Sequence, residues 1–171
     1  MNAPAPTLTE LIERYAAGSQ RLREAVAGLT PEQLASRPIA GKWSTLEVVA
    51  HLADFELIGA ERIAAVTAED EPTLPGRDET RYAARLAYDR RDFDEQLQIV
   101  DLVRRHVVRI LQTLTEADLA RRGVHTEAGP LLLSQLIERV TRHLEHHVPF
   151  IEAKRRALEA AASPGAEPTV G

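Results

Sequence analysis

Apolar residues recur at steps of three and four through four long stretches of this chain, the spacing that gathers them on one face of an amphipathic helix. The first stretch runs from about Leu8 to Leu29 through Leu11, Ile12, Tyr15, Leu22 and Val26. The second, from Thr45 to about Ala68, carries Leu46, Val49, Leu52, Phe55, Ile58 and Ile63, and Ser44 with Glu47 forms the reciprocal S-x-x-E cap that opens a helix. Leu97, Val100, Val103, Val107, Ile110, Leu111 and Leu114 mark the third, from about Arg90 to Leu114. The fourth reaches about residue 160 and carries Leu133, Leu136, Ile137, Val140, Leu144, Val148 and Ile151.

The intervals between these stretches are short except one. Thr30, Pro31 and Gln33 predict a capped helical turn after the first helix, and Thr115 caps another in "TEADLA". The polar run "TAEDEPTLPGRDE" holds two prolines and a glycine, so residues 67–80 predict a long crossover. "RRGVHTEAGP" reads as turn-rich, and no stretch reads as a convincing strand. The expectation is an all-α four-helix bundle with a long crossover between the second and third helices, spanning residues 7–160 between disordered ends at 1–6 and 161–171. Pro149 lacks an amide hydrogen and should bend the fourth helix near Glu145.

Composition narrows the function. A chain of 171 residues, 44% hydrophobic and 27% charged, is about one domain long and has enough apolar side chains for a core. Its net charge of -5 lacks the basic footprint that a phosphate backbone requires, so nucleic acid is not the expected partner. No apolar run is long enough to span a membrane and "MNAPAPTLTE" has no signal-peptide pattern, which makes the cytoplasm the expected compartment. With no cysteine there is neither a thiolate nucleophile nor a sulfur ligand, and any metal site must be built from nitrogen and oxygen.

Three of the six histidines fall in "TRHLEHHVPF". His143 and His147 stand four apart, one helical turn, on the same side, and they continue the core seam of Leu136, Val140 and Phe150. His51 shares the apolar side of the second helix in "EVVAHLADFE". An HxxxH pair arises by chance in helices of this composition, and a lone core histidine is usually hydrogen-bonded to a neighbour. Three inward imidazoles would each need a buried acceptor, whereas one divalent ion satisfies all of them and keeps an open position for water or substrate.

"GKWSTLEVVAHLADFE" and "RRGVHTEAGPLLLSQLIERVTRHLEHHVPFI" together resemble the DinB-like (DinB/YfiT-like) superfamily of metalloenzymes, over most of the chain up to about residue 155. The resemblance implies a bundle, commonly a homodimer, with a divalent metal on His51, His143 and His147. Nickel or zinc is implied, with iron also compatible with imidazole ligands. It further implies a small-molecule substrate and an activity of one of two kinds: S-transfer using a low-molecular-weight thiol as co-substrate, or hydrolysis. Relatives often have aspartate where this chain has Leu144.

Other residues are candidates for the surroundings of the site. Asp54, three after His51, is placed to accept the second ring hydrogen of that histidine. Glu47 is explained by its cap, and Glu56 is a nearby acid. Trp43 reads as a staple at the entry of the second helix or as a wall of the pocket mouth. His125, in the predicted loop, and His146, beside the pair, are further pocket candidates; His106 reads as exposed. The basic runs at 21–23, 90–91, 104–105 and 154–156 read as solvated faces, a few of whose cations would guide an anionic thiol to the pocket. The competing expectation is a non-catalytic, stress-associated bundle with a structural metal or none.

Overall fold

The computed structural model describes residues 5–162, and the four long periodic stretches all fold as helices: α1 (Leu8–Val26), α3 (Thr45–Ala68), α5 (Phe93–Leu111) and α6 (Leu133–Ala162). Of the segments expected to be disordered, residues 1–4 and 163–171 lie outside the described residues, while Ala161 and Ala162 continue α6. Short α2 (Pro31–Ala35) opens on Thr30 and Gln33, and Ser44 with Glu47 opens α3; both are reciprocal capping boxes. Helix α6 continues through Pro149.

Two segments differ from the sequence expectation. The crossover contains a second short helix, α4 (Glu79–Arg85), and a 3-10 turn at Tyr88–Arg90. "RRGVHTEAGP" belongs to a hairpin of β2 (Arg122–His125) and β3 (Gly129–Leu132), and β1 (Thr73–Leu74) of the crossover pairs in parallel with β2, opposing Leu74 to His125. The main-chain bonds Val124 N to Pro72 O at 2.8 Å and Thr126 N to Leu74 O at 3.1 Å tie the crossover to the hairpin. Arg121 donates to Val66 O at 2.9 Å and Glu69 O at 2.8 Å, satisfying carbonyls at the open end of α3. These ties bring the start of α4 and His125 to the same flank of α3.

The core falls into two apolar groups. One holds Leu11, Tyr15, Ile63, Val107, Leu111 and Ile137; the other holds Leu22, Val49, Leu52, Val100, Leu144 and Ile151. Between them in sequence, on the four helices, lie Gly18, Glu56, Arg104 and His143. Glu56 and Arg104 are fully buried and paired; the Arg104 guanidinium also donates to Tyr15 O and lies 4.4 Å over the Tyr15 ring. Tyr15 donates its hydroxyl to the other Glu56 oxygen at 2.9 Å. A Cβ at Gly18 would fall inside the Arg104 guanidinium, so only glycine leaves α1 room for it. Glu56 is thereby committed to the core and is not free as a base.

The basic runs are not simply solvated. Arg104 is 1% exposed and Lys154 3%, Arg21 pairs with Glu145 at 3.0 Å, and Arg155 donates to Ala25 O and Ala27 O at the end of α1. Among the described residues no helix is long and apolar enough to cross a membrane.

Candidate metal centre

The site forms where α3 and α6 approach closely. A Cβ at Gly59 would lie 3.0 Å from both γ carbons of Val140, so the glycine sets how near the two helices come, a few residues from the histidines. From α3 comes His51, 4% exposed; from α6 come His143 and His147, both half-buried. One ligating nitrogen from each of the three lies within 4.8 Å of the others. The spacing therefore brings together the two helices and three imidazoles that the sequence singles out.

Three imidazole nitrogens are a donor set that suits a divalent ion, and one pair already stands at ligand spacing. His51 Nε2 and His143 Nε2 face each other at 3.0 Å. Two nitrogens bound to one ion at about 2.0–2.1 Å, at angles between octahedral and tetrahedral, stand roughly 3 Å apart, so this spacing is that of neighbouring ligands. All three rings are held neutral, as ligands must be. Burial pushes His143 down to about 2, helped by the adjoining His147 and His51, and pushes His147 down to about 4, helped by His51 and His146. Burial also lowers His51, opposed by the nearby carboxylates of Glu79 and Asp54.

What orients the rings is packing. His143 Nδ1 is buried without a hydrogen-bond partner among the described residues, but its ring stacks on Phe55 with centroids 3.5 Å apart and planes at 24°. The Trp43 ring stands 5.3 Å from His51 and 6.2 Å from Tyr88, so Trp43 both packs on the core and walls the site.

Asp54 does not serve the role expected for it. Its oxygens accept from Arg91 at 2.7 and 3.0 Å and from Tyr88 at 2.9 Å, and no hydrogen bond joins it to His51. It anchors the end of the crossover to α3. Glu47 likewise is fully used, by its cap and by Arg37 at 3.0 and 2.6 Å. Leu144 is wholly buried in the apolar core, so the departure from the superfamily pattern fills a core position.

Two cavities meet the centre. One, of about 130 Å3, runs along α3 past His51, Phe55, Ile58 and Arg62, with Glu79 and His125 also in its wall. The other, of about 380 Å3, is walled by Trp43, His147, Phe150, His146 and Lys154, and again by Glu79. His146 is exposed, 5.4 Å from the His147 ring, on the rim and outside the trio. His125 is 5% exposed, on β2, and lines the first cavity; His106 is exposed on α5.

Glu79 escaped the sequence reading. It sits at the first turn of α4, common to both cavities, with Oε2 3.8 Å from His51 Nε2. Nothing in the periodicity of the crossover marks it; only the Asp78 cap, which fixes the start of α4, is a local signal.

A bundle with a convergent, inward-facing set of three imidazoles is a metal-competent helical protein. A model of the DinB superfamily matches residues 14–151, and the chain belongs to that superfamily. It is 30% identical over 138 residues to a protein of Bacillus licheniformis named "Putative metal-dependent hydrolase", covering 80% of this chain and 78% of that one. A protein of the same name from Oceanobacillus iheyensis is 26% identical over 141 residues, covering 82% and 79%. The solved structure of YfiT from Bacillus subtilis, described as "a probable metal-dependent hydrolase with an unusual four-helix bundle topology", superposes with a TM-score of 0.83 at 21% identity, covering 93% of this chain and 94% of that one. That likeness establishes the fold.

Proposed function

We propose that this protein is a divalent-metal-dependent enzyme of the hydrolase type, holding its ion on His51, His143 and His147. The observation that carries the reading is the convergence of three neutral, inward-facing imidazoles within 4.8 Å at the junction of two cavities. A divalent ion supplies Lewis acidity there, turning a water or a thiol into an effective nucleophile near neutral pH.

The chain's own residues account for the other needs of such a reaction. The histidines bind through nitrogens that burial keeps unprotonated. Phe55 and Trp43 fix the ring planes and exclude bulk water from the inner side. Glu79, in the wall that both cavities share, has no Lys or Arg partner among the described residues, and it takes up the proton of the attacking water. Asp54, clamped by Arg91 and Tyr88, holds down the crossover that carries Glu79.

A second reading is S-transfer from a low-molecular-weight thiol. It is favoured by the larger, aromatic-walled cavity beside His147, which gives a co-substrate its own compartment. Nickel and zinc suit the imidazole donors equally under either reading, and iron remains compatible. The experiment is to incubate the metal-loaded protein with small ester, amide and halide electrophiles, with and without each thiol. Turnover without thiol that disappears in His51→Ala supports hydrolysis; turnover only with thiol supports S-transfer; no turnover under either condition supports a non-catalytic bundle.

A further inference from the structure

The smaller cavity has a chemically distinct far end. His51, Phe55, Ile58 and Arg62 follow one another at steps of four, three and four, so they line one face of α3, with the three-histidine centre at one end and a guanidinium at the other. Eleven residues of helix separate these ends by about 16 Å of rise, which the Arg62 side chain shortens by leaning back toward the helix N-terminus.

Arg62 is 7% exposed, and no carboxylate lies within ion-pair distance of it among the described residues. It donates to the carbonyl of Pro75, which ties it to the crossover, and its remaining donors have no acceptor among the described residues. His125, 5% exposed, stands in the same wall. Its Nδ1 accepts from the backbone amides of Glu127 at 3.2 Å and Ala128 at 3.3 Å. The ring proton is therefore on Nε2, and no group among the described residues accepts it. Arg77 and Arg139, both exposed and both without an acidic partner among the described residues, complete the rim.

Glu127 is near enough to act on Arg62 and His125, and Glu61 on Arg62, but none of the acids around this wall reaches ion-pair distance of Arg62 among the described residues. Asp54 is spent on Arg91 and Tyr88, Glu79 lies at the histidine end, and the exposed Glu127 side chain packs against Gly76. A largely buried guanidinium with one carbonyl acceptor and no ion pair keeps donors to spare, and a bound oxyanion takes them up in charge-assisted, bidentate hydrogen bonds.

We propose that this end of the cavity is an anion subsite: Arg62 and His125, with Arg77 and Arg139 at the rim, receive a carboxylate or phosphate group of a small, elongated substrate whose reacting bond lies at the histidine centre. The placement of the reacting bond rests on the metal-dependent reading above; the anion subsite itself does not. The substrate class is thus an anionic small molecule, held by one end and attacked near the other.

The test is a nuclear magnetic resonance titration of the full chain, as purified and after chelation, with inorganic phosphate, acetate and uncharged acetamide. Saturable binding of phosphate or acetate, but not acetamide, is expected with and without metal, with the His125 ring signals moving. The Arg62→Lys and Arg139→Ala proteins should each bind the better anion less tightly, by about tenfold for the buried residue; the exposed Arg139 provides a variant that keeps the fold. Absence of saturable binding, an affinity in both variants equal to the parent's, or binding only when metal is loaded overturns the subsite. Metal content is measured on the same samples: anion binding by a chain that takes up no metal leaves the subsite standing and removes the metal-dependent reading, while metal uptake without anion binding does the reverse.

Discussion

Phe55 lies flat against His143, ring on ring at 3.5 Å, and this stack does for the imidazole what a hydrogen bond usually does for a metal-binding histidine. The free nitrogen of His143 is buried and finds no acceptor among the described residues, so the aromatic face is the contact that fixes the ring plane. Phe55→Ala should weaken metal affinity by about tenfold or more, the usual scale for losing an outer contact that orients a ligand. Competition with a chromogenic chelator measures this, and an affinity equal to the parent's would refute the orienting role.

Asp54 supports the loop architecture and does not orient the ligand. Asp54→Ala removes the acceptor of Arg91 and Tyr88 and should lower unfolding stability by about 1–3 kcal/mol, read from urea denaturation. Metal affinity measured in the folded variant should stay within a few fold of the parent; a fall on the scale expected for Phe55→Ala would mean that Asp54 does act on His51.

Glu79→Gln separates binding from chemistry. The neutral amide keeps the shape of the side chain but cannot take a proton, so kcat should fall by about 100-fold or more while metal content is unchanged. Loss of metal in this variant would instead make Glu79 a ligand, and full activity would exclude it from the reaction.

Acid should destabilise the metal-free protein through the histidines. Ordinary histidine titrates near 6.5, whereas His147 titrates at about 4 and His143 at about 2 in the folded chain. Between about pH 6.5 and 4 the unfolded chain therefore binds protons that the folded one does not, and folding stability declines as pH falls through that window. For His147 the decline is complete below about 4; for His143 it continues toward 2. Urea midpoints at pH 7.5 and 5 should differ more for the chelated parent than for His143→Gln/His147→Gln, and equal differences would contradict the shifts.

The helices and the histidine trio were legible because both are written in local spacing. Helical periodicity predicts α1, α3, α5 and α6, and HxxxH with His51 on an apolar face predicts inward rings. The hairpin was not legible: strands of four residues give too few alternations, and Gly123, Gly129 and Pro130 make the segment look like turn alone. Missing the hairpin also hid the burial of His125, which depends on β2 pairing with β1. Asp54 was misread because its partner Arg91 is 37 residues away, and sequence spacing pointed to the histidine three residues before it. Arg62 carried a usable signal, since it continues the 51, 55, 58 face by four, but an arginine late in a helix reads as solvated unless the crossover above it is known.

The most direct measurement is elemental analysis of the protein purified without an affinity tag, beside His51→Ala prepared in the same way. A single nickel, zinc or iron ion on each parent chain, absent from the variant while its helical spectrum is unchanged, is the predicted result. A parent chain that neither retains nor takes up a divalent ion, or a variant with the same occupancy, would contradict the three-histidine centre.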